Sequence, residues 1–343
     1  MRLLRQLRLL FARPTRPVVA GVFARQTKAW CDARVLVRTY YLVHLLFAAQ
    51  ALGWIERARG AAPSLLWPVT WMRFVGIEVG VVAVHVFSVA AALLAALCPH
   101  VRLLRALAWL GFFEAVGFTW SFGKISHSWH AWLWVGLCFV LLPDRALSAI
   151  EARRSDRQGV LTVVWLAQAL PLLFYSLTGG WKVVGAIMQA ARGETHSFSP
   201  DALAIQLARV HLMTGSRSAL GGFFIDHALL GWPLYLLAIY LELFALLVAF
   251  RPALQRPWAI CLITAHIVVY LTMRIDFMSQ AFLLALLFFR SPFAPQGVAW
   301  RDVLRAVPLL GLLWWRRVPD HMKVRFRSCD PPASTVTLTN IST

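Results

Sequence analysis

Apolar runs separated by short basic clusters occupy most of this chain. From Val160 to Gly180 there is no charged residue, and ~20 residues of that kind cross a bilayer as one helix. Applied along the chain, the pattern predicts about eight spans, at 35–54, 71–97, 103–122, 128–142, 159–191, 232–250, 258–273 and 277–289. Pro171 lies inside the fifth span and should kink it. Between the fifth and sixth spans lies a loop of roughly 40 residues, too long for a plain connector. It holds His196, His211 and His227, and 202–213 within it reads as an amphipathic surface helix. Segment 55–70 mixes apolar residues with prolines and reads as dipping into the interface.

The two ends differ from the middle. MRLLRQLRLLFARPTRP opens the chain, with Arg2, Arg5 and Arg8 at every third position and leucines between them. That is a basic amphipathic helix suited to an anionic membrane surface. The apolar run 307–315 is too short to span, and its flanking tryptophans and arginines suit an interfacial helix. Residues 328–343 are small and polar and read as disordered. The expected fold is an all-α polytopic membrane protein, a bundle of about eight transmembrane helices with extra interfacial helices. It divides into a basic cytoplasmic segment 1–29, a transmembrane domain 30–290 and a cytoplasmic tail 291–343.

Composition narrows the class. The chain is 59% hydrophobic and 14% charged, with mean hydropathy +0.66, whereas about a quarter of a soluble domain is charged. A formal charge of +19 would suggest nucleic acid in a soluble protein. Here the basic residues lie between the apolar runs, as the positive-inside rule produces, so nucleic acid is set aside. With the N-terminus inside, the inner segments hold most of the 34 Lys and Arg, among them 102–105, 153–157, Arg251, Arg256 and 317–327. The bias places both termini in the cytoplasm, in a bacterial inner membrane. The five cysteines (Cys31, Cys98, Cys138, Cys261, Cys329) share no short spacing and imply neither a disulfide framework nor a metal site.

Ionisable groups inside a bilayer are costly and mark candidate function. Counted from the span starts, Glu114 is ~16 Å deep, Glu242 ~15 Å and His266 ~12 Å, all near the midplane. The sixth and seventh spans are joined by a short loop, so Glu242 and His266 are expected to hydrogen-bond, as a packing clamp or as chemistry. Glu78, His44 and His85 are single polar groups on long helices. At the outer face Lys124, His127, His130, Lys182, Arg274 and Asp276 come from three separate segments to one depth. Lys182 follows Gly179 and Gly180, roughly 34 Å beyond Gly159. It reads either as a base or as an anchor that snorkels to the interface.

Three stretches carry a family resemblance. FYSLTGGWKV at 174–183 resembles a tyrosine, small residue, glycine, lysine–leucine pattern. HSWHAWLWVGLCFVLLP at 127–143 resembles a His-Ser-aromatic opening of a span. TAHIVVYLTMRIDFMSQAF at 264–282 is similar to a late His-containing span followed by a broken segment. In that order they resemble the horizontally transferred transmembrane (HTTM) domain family, which includes the membrane part of the vitamin K-dependent gamma-carboxylase. The resemblance covers roughly residues 30 to 290. It implies Lys182 as active-site base, His127 as its partner and His266 as a late histidine without an assigned role; a quinol ligand is implied by resemblance only. Trp181 and Val183 depart from the carboxylase pattern, and its large soluble substrate-binding part has no counterpart in 291–343.

Three functional readings follow. The first is a membrane enzyme acting on a lipid- or quinol-linked substrate, with Lys182 as base and His127 beside it. Their side chains would share a pocket walled by Trp181, Trp129 and Phe122, with His130, Arg274 and Asp276 in support. The second is a non-catalytic membrane scaffold or partner subunit. The third is a proton-coupled transporter using Glu242, His266 and Glu114, against which no duplicated half is visible. Membrane lipid is the expected partner. No cofactor motif is present, and nothing in the sequence sets an oligomeric state.

Overall fold

The computed structural model describes residues 26–50, 62–123, 127–148, 152–295 and 297–310. Every regular element among them is helical. The chain runs through α1 (Gln26–Gln50), α2 (Met72–Val75), α3 (Ile77–Leu97), α4 (Arg102–Trp120), α5 (His130–Val140) and α6 (Asp144–Ser148). It continues through α7 (Arg154–Ala191), α8 (Ala202–Thr214), α9 (Ala219–Asp226), α10 (Ala228–Leu243) and α11 (Ala245–Val248). It closes with α12 (Gln255–Met273), α13 (Met278–Phe289) and α14 (Trp300–Ala306). The basic start 1–25, Lys124, the tail from 311 and Cys329 lie outside the described residues.

Among the described residues four helices are long and apolar enough to cross a membrane: α3, α4, α7 and α12 with the 3-10 turn before it. The pair α9–α10, bent by 107°, makes a fifth if it counts as one span. The expected count of about eight goes beyond this. α5 has 11 residues and α13 has 12; at ~1.5 Å per residue neither reaches the ~30 Å of a hydrocarbon core. α1 has the length but carries Lys28, Asp32, Arg34 and Arg38. The second expected span divides at Gly76, whose φ of 89° ends α2 before α3 begins. The sixth begins at Ala228 and divides at Phe244, between α10 and α11.

α7 is the spine. It has 38 residues, about 57 Å at ~1.5 Å per residue. It runs on through Pro171 and past Gly179 and Gly180, so Lys182 is not at its end. Its first half buries Val160, Leu161, Val164, Ala167, Gln168 and Leu172, while its second half buries only Gly179 and Ala186. The main core gathers around the first half, from α1, α4, α5, α12 and α13. Trp132 sits in it, stacked on Tyr40 at 5.2 Å, with its indole N–H on Ser279 O at 2.8 Å. A smaller cluster joins Leu65, Val69 and Met72 to α3 and α4, so the described part of the expected interfacial segment, 62–70, contributes to the interior. α3 and α4 meet on small side chains; a Cβ on Gly111 would come within 2.9 Å of Ser88 Cα.

Arg105 fastens the other end of the bundle. Its side chain is fully buried and donates to Pro99 O at 2.6 Å, to Leu142 O at 2.5 Å and to Asp144 Oδ1 at 2.8 Å. The carbonyls past the ends of α3 and α5, which have no partner within their own helices, are thereby tied to α4. α8 forms where the amphipathic pattern placed it, burying Ala204, Leu207 and His211. His211 and Ser218 then complete the end of α12: the Ser218 hydroxyl donates to Thr272 O at 2.7 Å, and His211 Nε2 lies 3.0 Å from the same oxygen.

Candidate functional site

The stretch from Tyr175 to Lys182 presents one face of α7 to three other elements. Residues 175, 179 and 182 are four and three apart, so they lie above one another on the helix. Gly179 faces the backbone of α10: a Cβ there would come within 2.7 Å of Leu243 Cα and 2.9 Å of Glu242 C. Only glycine permits that approach. Gly180 faces open space.

This close approach coincides with the break between α10 and α11. The Ser176 hydroxyl donates to Leu243 O at 3.0 Å and accepts from Leu246 N at 2.8 Å. One side chain thus satisfies two backbone groups released where the helix is interrupted. A turn further along α7, Lys182 Nζ donates to both carboxylate oxygens of Glu242, at 2.8 and 2.7 Å. The pair is neither sealed nor free, with Lys182 30% and Glu242 20% exposed. On the other side of the face, Tyr175 Oη and His266 Nε2 of α12 are 2.5 Å apart. Two ionisable pairs from α7, α10 and α12 thus share one face of α7.

The expected Glu242–His266 hydrogen bond is thus replaced by two others. Glu242 takes Lys182, and His266 takes Tyr175. The expectation that Lys182 ends the fifth span does not hold for α7, which continues nine positions beyond it to Ala191. Lys182 lies beside Glu242 of α10. Tyr175 and Ser176 had a detectable signal, since they share a helical face with Gly179 and Lys182. The break at Phe244 had none, because ALLGWPLYLLAIYLELFALLV reads as continuous helix.

His127 and His130 form a separate pair, with their Nδ1 atoms 3.1 Å apart. His130 lies against Trp120, ring centroids 4.6 Å apart. The turn carrying His127 is held to α13 by Gln280, whose amide donates to His127 O at 3.1 Å and Ser128 O at 3.0 Å. His127 is paired with His130, and Lys182 with Glu242. The aromatic residues expected to wall a shared pocket are differently engaged. Trp181 is 77% exposed, Trp129 packs on Phe47 and Phe112, and Phe122 packs on Phe118. The two pairs meet indirectly on α13, where Phe277 lies 5.4 Å from His266 one turn from Gln280.

The remaining candidates have local partners. Asp276 Oδ1 accepts from Met278 N at 2.8 Å and starts α13. Arg274 closes α12 in the left-handed region, φ 57°, with its guanidinium 5.8 Å from the Tyr270 ring. Glu114 is half-buried on α4. Among the described residues no group of three or more His, Cys, Asp or Glu is placed to hold a metal ion. Compared with protein-family models, curated proteins and solved structures, the chain matches none.

Proposed function

We propose that the chain is an integral membrane protein of the HTTM type and that the Lys182–Glu242 couple is its working centre. The observation that carries this is the bidentate pair itself, half-shielded on the flank of an apolar helix. An ion pair in apolar surroundings bears a desolvation cost. Passing one proton from the ammonium to the carboxylate removes both charges, and the 2.7 Å contact is short enough to do so in place. The product is a neutral amine, the form of lysine that can act as a base. It would remove a proton from a lipid- or quinol-linked substrate, with quinol drawn from the family resemblance alone. Exposed Leu177 and Trp181 beside the pair suit a substrate arriving from the bilayer. Tyr175 and His266 offer the proton on Glu242 a route onward, and His127 then acts from the turn before α5 rather than by touching Lys182. About eight passes with both termini cytoplasmic complete the proposal, supported by the arginine distribution.

The scaffold reading has one observation in its favour: Tyr175, Ser176, Gly179 and Lys182 are all engaged with neighbouring helices, as in a packing clamp. Exchanging the two charges separates the readings. Lys182→Glu combined with Glu242→Lys keeps an ion pair between α7 and α10 and moves the base to the other helix. The working centre predicts normal thermal stability but failure of the exchanged pair to complement a gene-deleted host, scored as any difference between the lipid extracts of the deleted and wild-type hosts. Full complementation by the exchanged pair would leave only the clamp.

A further inference from the structure

The seam where α1, α3 and α4 meet is polar with nothing to satisfy it. Tyr41 Oη, both ring nitrogens of His44 and Ser88 Oγ are buried without a hydrogen-bond partner. Tyr41 is 1% exposed, and His44 and Ser88 are 2% exposed. Buried polar groups almost always have a partner, and where the protein supplies none an ordered water does. A hydroxyl on an apolar helix commonly turns back to its own backbone, but Ser88 makes no such bond.

A cavity opens at this place. Its volume is about 10 Å³, and Ser88, His85, Phe47, Phe112 and Trp129 are among the side chains around it. That volume fits the centre of a single water. His44 lies one turn along α1 from Phe47 and meets the edge of Phe112 at 4.7 Å. His85, half-buried on α3, stands between the cavity and the outer surface of the bundle.

We propose that this cavity is a binding site for one structural water, held by Ser88 and His85. Water is the occupant that matches both size and chemistry. An apolar group of that size would leave Ser88 unsatisfied, and an ion would find no opposite charge among these side chains. The site stands apart from Lys182 and does not depend on the proposed function.

Two measurements test it on the whole protein in detergent. Ser88→Ala removes the hydroxyl with almost no change of shape. In a dry seam that relieves an unsatisfied group and leaves or raises the melting temperature; with water bound it should lower it by about 2–4 °C. Radiolytic hydroxyl labelling, in which a bound water oxidises the side chains it touches, is read on the wild type. Phe112, buried beside the cavity, should be labelled several-fold faster than Phe139, a residue of the same type fully buried in the main core. Labelling of Phe112 no faster than Phe139 overturns the proposal whatever the variant does. That readout also decides the matter if Ser88→Ala does not fold.

Discussion

At residue 179 a single methyl group is too many. Its carbon would collide with Leu243 and Glu242, whereas at residue 180 it would meet open space. Gly179→Ala is therefore expected to lower the thermal stability markedly, by forcing α7 away from α10 and stretching the Lys182–Glu242 and Ser176–Leu243 contacts. Gly180→Ala should be neutral or add up to about 1 kcal/mol, because alanine is the better helix former. Melting curves of the two variants check this, and equal effects would mean the crossing is looser than described. The sequence shows GG and cannot say which glycine the fold requires. That depends on which face of α7 meets α10.

Helix ends, more than helix centres, hold the elements together. Arg105 ties the terminal carbonyls beyond α3 and α5 to α4 and reaches Asp144, which is 51% exposed. Removing the arginine leaves those carbonyls unpaired in the interior, so Arg105→Ala should cost about 3–5 kcal/mol. Asp144→Asn loses an interaction open to water and should cost under about 1 kcal/mol. Thermal unfolding of both variants measures the difference, and equal losses would show that the carbonyl contacts contribute little. In the sequence Arg105 is one basic residue in RLLR and is indistinguishable from Arg102, which is exposed. Periodicity did locate α8, α12 and α13, whose apolar positions and boundaries are local properties. It did not reveal the Gly76 and Phe244 interruptions, because those depend on what a neighbouring helix supplies.

For the whole molecule, the four apolar helices could cross a membrane, and the arginine distribution supplies the proposed orientation. The ends of α7 test it directly. Thr195 and Ser155 are exposed, one beyond its C-terminus and one at its N-terminus. In a variant without the five cysteines, an impermeant thiol reagent applied to intact cells should label Thr195→Cys and not Ser155→Cys. Labelling of both, or of Ser155→Cys alone, contradicts the proposed topology. The polar residues of the site were legible as single letters; their pairing was not, because it depends on which face of α7 meets α10 and on where α10 breaks. The claim that the Lys182–Glu242 couple works, rather than merely holding two helices, is met most directly by Lys182→Arg. Arginine can keep a bidentate contact with Glu242 and remain charged, so the fold is retained while the base is lost. Complementation of the gene-deleted host, read in its lipid extract, should fail with this variant at normal protein level and normal melting temperature. Complementation at the wild-type level would contradict the account and leave Lys182 as a structural clamp.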